Sequence, residues 1–294
     1  MFKGAIVAMV TPFKNGKIDE EALRELIEIQ IENGTDGIVP CGTTGESATL
    51  SHEEHDRVIE ITIDAVKKRV PVIAGTGSNS TAEALRLTKH ACEAGADGVL
   101  MVCPYYNKPT QEGMFQHFKT IAENVAVPII LYNIPGRTGA NLLPEAVQRL
   151  SHISNIVGIK EASGSLKQIM DVIHLCDSDF DVLSGDDVIA LPIMFLGGSG
   201  VISVVSNIAP ADMAEMIDAC LAGNNKKAKE LHYRMLPLID SLFIETNPVP
   251  VKAALAMMGK IEYELRLPLC RMSAANYENL KKVMTDYGLI TGNM

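Results

Sequence analysis

The sequence predicts a (β/α)8 barrel with a C-terminal helical extension. Three observations carry that reading. Short apolar runs recur along the chain, helical patterns lie between them, and small polar clusters follow the ends of the runs. The runs fall at residues 5–10, 37–41, 71–74, 98–102, 128–132, 156–160, 182–184 and 200–205. They are continuous rather than alternating, as parallel strands covered on both faces require.

The intervening helices have their own start and stop signals. Asp19 is placed to cap a helix whose Leu23, Leu26, Ile27 and Ile31 share one face, and Asn33-Gly34 stops it. Ser51-x-x-Glu54, Ser80-x-x-Glu83 and Ser165-x-x-Gln168 read as capping boxes. Pro144 suits a first helical position. Met213, Met216, Ile217, Cys220 and Leu221 form a further apolar stripe, closed by Gly223. Residues 1–223 thus read as the barrel. A doubly wound open sheet is the rival, but no G-x-G-x-x-G follows a strand. After Gly223 no strand pattern occurs. Three helical segments near 224–240, 248–259 and 273–287 make residues 224–294 a helical domain packed on the barrel or on a partner.

Composition narrows the class. The chain has 294 residues, 47% hydrophobic and 21% charged, enough to bury a sizeable core and unlike a disordered or fibrous protein. With 26 Lys+Arg against 36 Asp+Glu, a net charge of −10 and no Trp, it carries no nucleic-acid footprint. The six cysteines form no C-x-x-C, so neither a zinc ribbon nor a thioredoxin-type pair is indicated, and the thiols suit a reducing compartment. The N-terminal apolar run is too short for a signal-peptide core and Pro12 interrupts it. The uncharged stretch 188–211 contains Pro192, Gly197, Gly198, Gly200 and Pro210, which disfavours a membrane helix. The expectation is a soluble cytoplasmic protein that binds neither nucleic acid nor membrane.

In a barrel the clusters after the strands converge on one face, the usual seat of chemistry. They include Gly42-Thr43-Thr44-Gly45-Glu46, Gly75-Thr76-Gly77-Ser78-Asn79, Tyr105-Tyr106-Asn107, Asn133-Ile134-Pro135-Gly136-Arg137, Lys160-Glu161 and Gly185-Asp186-Asp187. Lys160 stands out because it ends an apolar strand. An ordinary lysine, with pKa roughly 10.4, is almost wholly charged at neutral pH, and burial that lowers the pKa makes neutral, nucleophilic amine available for a Schiff base. The competing reading pairs Lys160 with Glu161 or another carboxylate. Lys252 also has apolar neighbours, but on a helix its stem can snorkel to water. There is no P-loop and no G-x-S-x-G elbow, and the two histidines of His52-Glu53-Glu54-His55 are spaced wrongly for H-E-x-x-H. Gly197-Gly198-Ser199-Gly200 precedes the eighth strand and reads as a helix-to-strand turn rather than a phosphate cradle.

The segments Gly42-Thr43-Thr44-Gly45-Glu46, Tyr105-Tyr106-Asn107, Tyr132-Asn133-Ile134-Pro135-Gly136-Arg137-Thr138-Gly139, Gly158-Ile159-Lys160-Glu161-Ala162 and Asn247-Pro248-Val249-Pro250-Val251-Lys252 together resemble the dihydrodipicolinate synthase family of pyruvate-dependent class I aldolases. The resemblance implies a barrel assembled as a homotetramer of two tight dimers. It implies condensation of pyruvate with L-aspartate 4-semialdehyde on the route to diaminopimelate and lysine. By resemblance Lys160 forms the imine, and Thr43, Tyr132 and Tyr106 relay protons, Tyr106 from the neighbouring subunit. Thr43 and Thr44 hold the pyruvate carboxylate, Arg137 binds the semialdehyde carboxylate, and Gly185 and Ile202 complete the substrate site. No metal or cofactor is implied, because the protonated imine is the electron sink. A sialic-acid-type or sugar-acid lyase of the same superfamily, a non-catalytic barrel and a metal-dependent aldolase stand as the alternatives.

The resemblance also implies an effector site for L-lysine, an allosteric inhibitor, formed by Ser47, Ala48, His52, His55, Asn79, Glu83 and Tyr105. His52 and His55 lie one helical turn apart and can share a face. If Tyr105 and Tyr106 continue a strand they point to opposite sides, Tyr105 towards an interface. Glu83 is a candidate for the effector's ammonium group, and it cannot easily do that and close a capping box.

Overall fold

The computed structural model describes residues 1–291. The first half of the barrel runs β1 (Gly4–Ala8), β2 (Phe13–Lys14), β3 (Lys17–Ile18), α1 (Glu20–Glu32), β4 (Gly37–Val39), α2 (His52–Val66), β5 (Ile73–Gly75), α3 (Thr81–Ala94), β6 (Gly98–Val102) and α4 (Gln111–Ala122). The second half runs β7 (Ile129–Asn133), α5 (Pro135–Thr138), α6 (Pro144–Ser151), β8 (Ile156–Glu161), α7 (Leu166–Leu175), β9 (Asp181–Ser184), α8 (Ala190–Phe195), β10 (Gly200–Ser203) and α9 (Pro210–Leu221). Three helices follow, α10 (Asn225–Leu242), α11 (Val249–Met257) and α12 (Ala274–Tyr287).

Eight of the strands form one parallel sheet in the order β4-β1-β10-β9-β8-β7-β6-β5. The two ends of that sheet meet through a parallel bridge between Ile38 and Val72, which closes a (β/α)8 barrel. The seam is thin: Ile38 N–H donates to Pro71 O and Gly75 N–H to Pro40 O. Side chains alternate across each strand. Ile6, Val39, Ile73, Leu100, Leu183 and Ile202 fill the barrel interior. Their strand neighbours, such as Val7, Ala74, Met101 and Ile159, pack outward against the helices in a second, larger core. Phe2 plugs the floor, and Gly98 makes room for it, since a Cβ there would lie 2.6 Å from the Phe2 ring. Truncating any of the fully buried Ile or Leu side chains of either layer would cost about 2–5 kcal/mol.

The helix ends follow the sequence signals closely. Asp19 accepts from Ala22 N–H, Gly34 has φ of +82°, and Pro144 begins α6. The glycines at 197 and 198 stop α8 and lead into β10, with Gly198 N–H donating to Ile193 O. Among the described residues, no helix is long and apolar enough to cross a membrane.

Several expectations need correction. The hairpin β2–β3 was not anticipated, although Asn15 and Gly16 at its tip both take positive φ, the signature of an Asn-Gly hairpin turn. Of the three capping boxes only that of Ser51 and Glu54 closes. Ser80 and Ser165 cap their helices, but the Glu83 carboxylate is taken by Ser78 and His52, and the Gln168 amide by Asn141. Leu221 is 55% exposed, so it leaves the apolar stripe of α9. Tyr105 and Tyr106 lie beyond the end of β6, in a loop where Tyr106 has φ of +72°, so strand alternation does not govern where they point.

Candidate active site

β7 and β8 pair in register with Tyr132 opposite Lys160. Both side chains enter the barrel mouth, and the Lys160 amine sits 4.3 Å from the centre of the Tyr132 ring. Lys160 is only 5% exposed. Burial brings its pKa down to about 8; Arg137 pulls the same way, and the buried Asp187 carboxylate opposes them. Its neighbour Glu161 is not the partner that the competing reading requires. Glu161 lies on the other face of β8, where it accepts from Asn133 Nδ2 at 3.0 Å and from Ser163 N–H at 2.6 Å.

Lys252 shows what a locked lysine looks like. It does not snorkel: it is 0% exposed, and its amine donates to Glu46 Oε1 at 2.5 Å and to Thr11 O at 3.0 Å. Two buried lysines thus have opposite surroundings, one neutralised by a carboxylate and one left facing a cavity.

That cavity has a volume of about 50 Å3, and Thr43, Thr44, Tyr132, Arg137, Lys160 and Gly185 all line it. Thr43 and Thr44 come from the turn after β4, whose Glu46 has φ of +53°. Burial raises the Tyr132 phenol to about 12, with the Thr43 hydroxyl pulling it slightly down. The phenol therefore keeps its proton at neutral pH. Arg137 is carried by the short α5 and donates through Nη2 to Asn247 O at 3.0 Å. Gly185 needs to be glycine, since a Cβ would meet Ala162 Cβ at 2.8 Å and Lys160 Cε at 3.0 Å.

Two expected residues stand apart. Ile202 belongs to the interior layer rather than to the cavity wall. Tyr106 is 90% exposed and reaches neither the cavity nor Lys160 within its own chain. Two residues without an expected role do matter to the wall. Asn247 Nδ2 donates to Thr44 Oγ1 at 3.0 Å, a contact whose only sequence signal was the Asn-Pro motif. Asp187 accepts from Val204 N–H and Val205 N–H and supplies the negative charge nearest in effect to Lys160.

A larger cavity, about 450 Å3, opens beside the first and shares Thr43, Ile134, Arg137 and Asn247 with it. Its wall includes Ser47, Ala48, His52, His55, Glu83 and Tyr105. Asn79 stands just outside, donating to Tyr105 O at 3.1 Å. His52 Nε2 lies 3.0 Å from Glu83 Oε1, and that contact together with Ser78 holds the Glu83 carboxyl below the usual range. His55 is buried, donates to Gly75 O at 2.9 Å, and has its pKa lowered by burial.

The profile of the dihydrodipicolinate synthetase family matches residues 1–287. The chain belongs to that family. It is therefore an enzyme, a lyase of the class I aldolase type. A relative from Syntrophus aciditrophicus, 4-hydroxy-tetrahydrodipicolinate synthase, is 75% identical over 290 residues, covering 99% of this chain and all of the relative. The family's dihydrodipicolinate synthase from Acinetobacter baumannii, solved as a chloride-inhibited complex with pyruvate, is 48% identical with a TM-score of 0.97, covering 99% of this chain and 100% of that one. A member from Cyanidioschyzon merolae, solved with lysine bound, is 42% identical with a TM-score of 0.96, covering 98% of this chain and 99% of that one.

Proposed function

We propose that this chain condenses pyruvate with L-aspartate 4-semialdehyde and is inhibited by L-lysine. The observation that carries the reading is the amine of Lys160: buried, held near a pKa of 8 and free of an ion pair among the described residues. Neutral Nζ attacks the keto carbon of pyruvate, and loss of water leaves a protonated imine. Loss of a methyl proton gives the enamine, whose carbon attacks the aldehyde while the aldehyde oxygen takes up a proton. The amino group of the second substrate then attacks the imine carbon, closing the ring and releasing Lys160.

The neighbours fit these steps. Thr43 and Thr44 receive the keto acid's carboxylate, and the Arg137 guanidinium grips the carboxylate of the semialdehyde. Tyr132, protonated and in contact with Thr43, passes protons. Tyr106, exposed and outside the lining of its own cavity, acts in the site of a neighbouring subunit. That role fits a homotetramer built of tight dimers. The ammonium of lysine goes to Glu83 in the larger cavity, beside the ring of His52. In this reading residues 1–223 are the catalytic barrel and 224–294 the helical domain, of which the described residues 224–291 brace the barrel, and the free cysteines suit the cytoplasm.

Reductive trapping with pyruvate, followed by peptide mass mapping, tests the central step. The adduct is expected on Lys160 and absent from Lys160→Ala. A protein without any pyruvate adduct refutes the reading. Competition between L-aspartate 4-semialdehyde and other aldehydes tests the second substrate, and titration with L-lysine tests the effector.

A further inference from the structure

The turn that carries Thr43 and Thr44 is fastened by a buried ion pair that the imine chemistry does not use. Glu46 ends this turn with φ of +53°, a conformation a non-glycine residue keeps only where its surroundings fix it. Its Oε1 accepts from Lys252 Nζ at 2.5 Å, and its Oε2 accepts from Arg266 N–H at 3.2 Å. Lys252 also donates to Thr11 O, while Thr11 Oγ1 donates to Gly45 O at 2.7 Å. The Lys252 and Glu46 side chains are 0% and 1% exposed.

A pair so deeply buried contributes little net stability relative to apolar side chains of the same size, because desolvation offsets the attraction. Its effect is geometric. Lys252 sits on α11, which starts two residues after Asn247. Asn247 donates to Thr44 Oγ1 at 3.0 Å, and its carbonyl accepts from Arg137. One helix end thus grips the turn at both Thr44 and Glu46 and anchors Arg137 as well.

We propose that Lys252 and Glu46 are positioning residues, which set the Thr43–Thr44 turn where it receives the carboxylate of the keto acid. The inference rests on the role given above to Thr43 and Thr44. Neither Lys252 nor Glu46 touches substrate; each acts through the turn.

The double variant Glu46→Leu/Lys252→Met removes both charges and keeps similar volume. Its KM for pyruvate is expected to rise about tenfold, with kcat within about threefold because Lys160 and Tyr132 are untouched. A pair that only stabilises the fold would lower the folded fraction, and so the apparent kcat, while KM stayed unchanged; that result overturns the proposal. Glu46→Gln keeps an acceptor for Lys252 and is expected to hold KM within about twofold of the parent. A KM as high as that of the double variant also overturns it. Should the double variant fail to fold, Glu46→Gln/Lys252→Met, which likewise leaves no charge buried without a partner, is read in the same way. Trapping separates this inference from its foundation. No Lys160 adduct in the parent protein removes the function. An adduct that half-saturates at the same pyruvate concentration in parent and double variant removes only the positioning role.

Discussion

The reactivity of Lys160 makes a quantitative prediction about pH. With a pKa of about 8, the amine is about one-tenth neutral at pH 7 and half neutral at pH 8. At the ordinary value of 10.5 it would be only roughly three parts in ten thousand neutral at pH 7. Burial is thus worth on the order of 300-fold in reactive amine at neutral pH. The initial rate of pyruvate trapping, measured with cyanoborohydride from pH 6 to pH 10, is expected to climb about tenfold per unit and level off near pH 8. Replacing Arg137 by Met removes a neighbouring positive charge that favours the neutral amine, so the break moves upward. Asp187→Asn removes the opposing negative charge and moves it downward. A rate that keeps rising to pH 10 in the parent protein would refute the reasoning, because the amine would then be an ordinary charged lysine.

Other outcomes follow from the same geometry. Because the folded protein holds the Lys160 pKa near 8 against 10.5, it binds fewer protons than the unfolded chain between those values, and stability rises with pH across that window. Below pH 8 the fold carries the cost of a buried charge, so Lys160→Met is expected to stabilise the ligand-free protein by about 3 kcal/mol at pH 7, seen as a higher thermal midpoint. Gly185→Ala pushes a methyl group against the Lys160 stem and is expected to cut trapping at least tenfold, while the unfolding free energy read from urea titration changes by less than about 1.5 kcal/mol. Glu83→Gln is expected to weaken lysine inhibition about tenfold or more and to leave the KM for pyruvate within about twofold, as read from lysine titrations of the steady-state rate.

The legible parts of this molecule are those whose signal is local. Continuous runs of Val and Ile predicted all eight barrel strands, because strands buried on both faces have no room for alternation. Gly34, Pro144 and Gly223 marked helix ends through backbone geometry alone. What escaped depends on partners far away in sequence. Lys252 reads as a snorkelling helix residue until Glu46, 206 positions earlier, is placed beside it. Glu83 satisfies a capping-box pattern, yet its carboxylate turns to Ser78 and to His52 on another helix. Lys160 itself was visible as a lysine ending an apolar strand, and strand alternation already turns Glu161 to the other face, but nothing local could say that no carboxylate from elsewhere in the chain reaches the amine.

The thin seam of the barrel gives the larger cavity a mechanical meaning. Cys41, Gly75 and His55, which border that cavity, sit where the β4 and β5 edges come together. The other neighbouring staves of the cylinder are laced by two to five residue pairs, whereas here two hydrogen-bonded stitches and one bridge hold the wall. The His55 ring adds a strap from α2 to the β5 edge. A small molecule lodged in the cavity would therefore rest against this lightly laced joint, one loop away from the two threonines at the mouth.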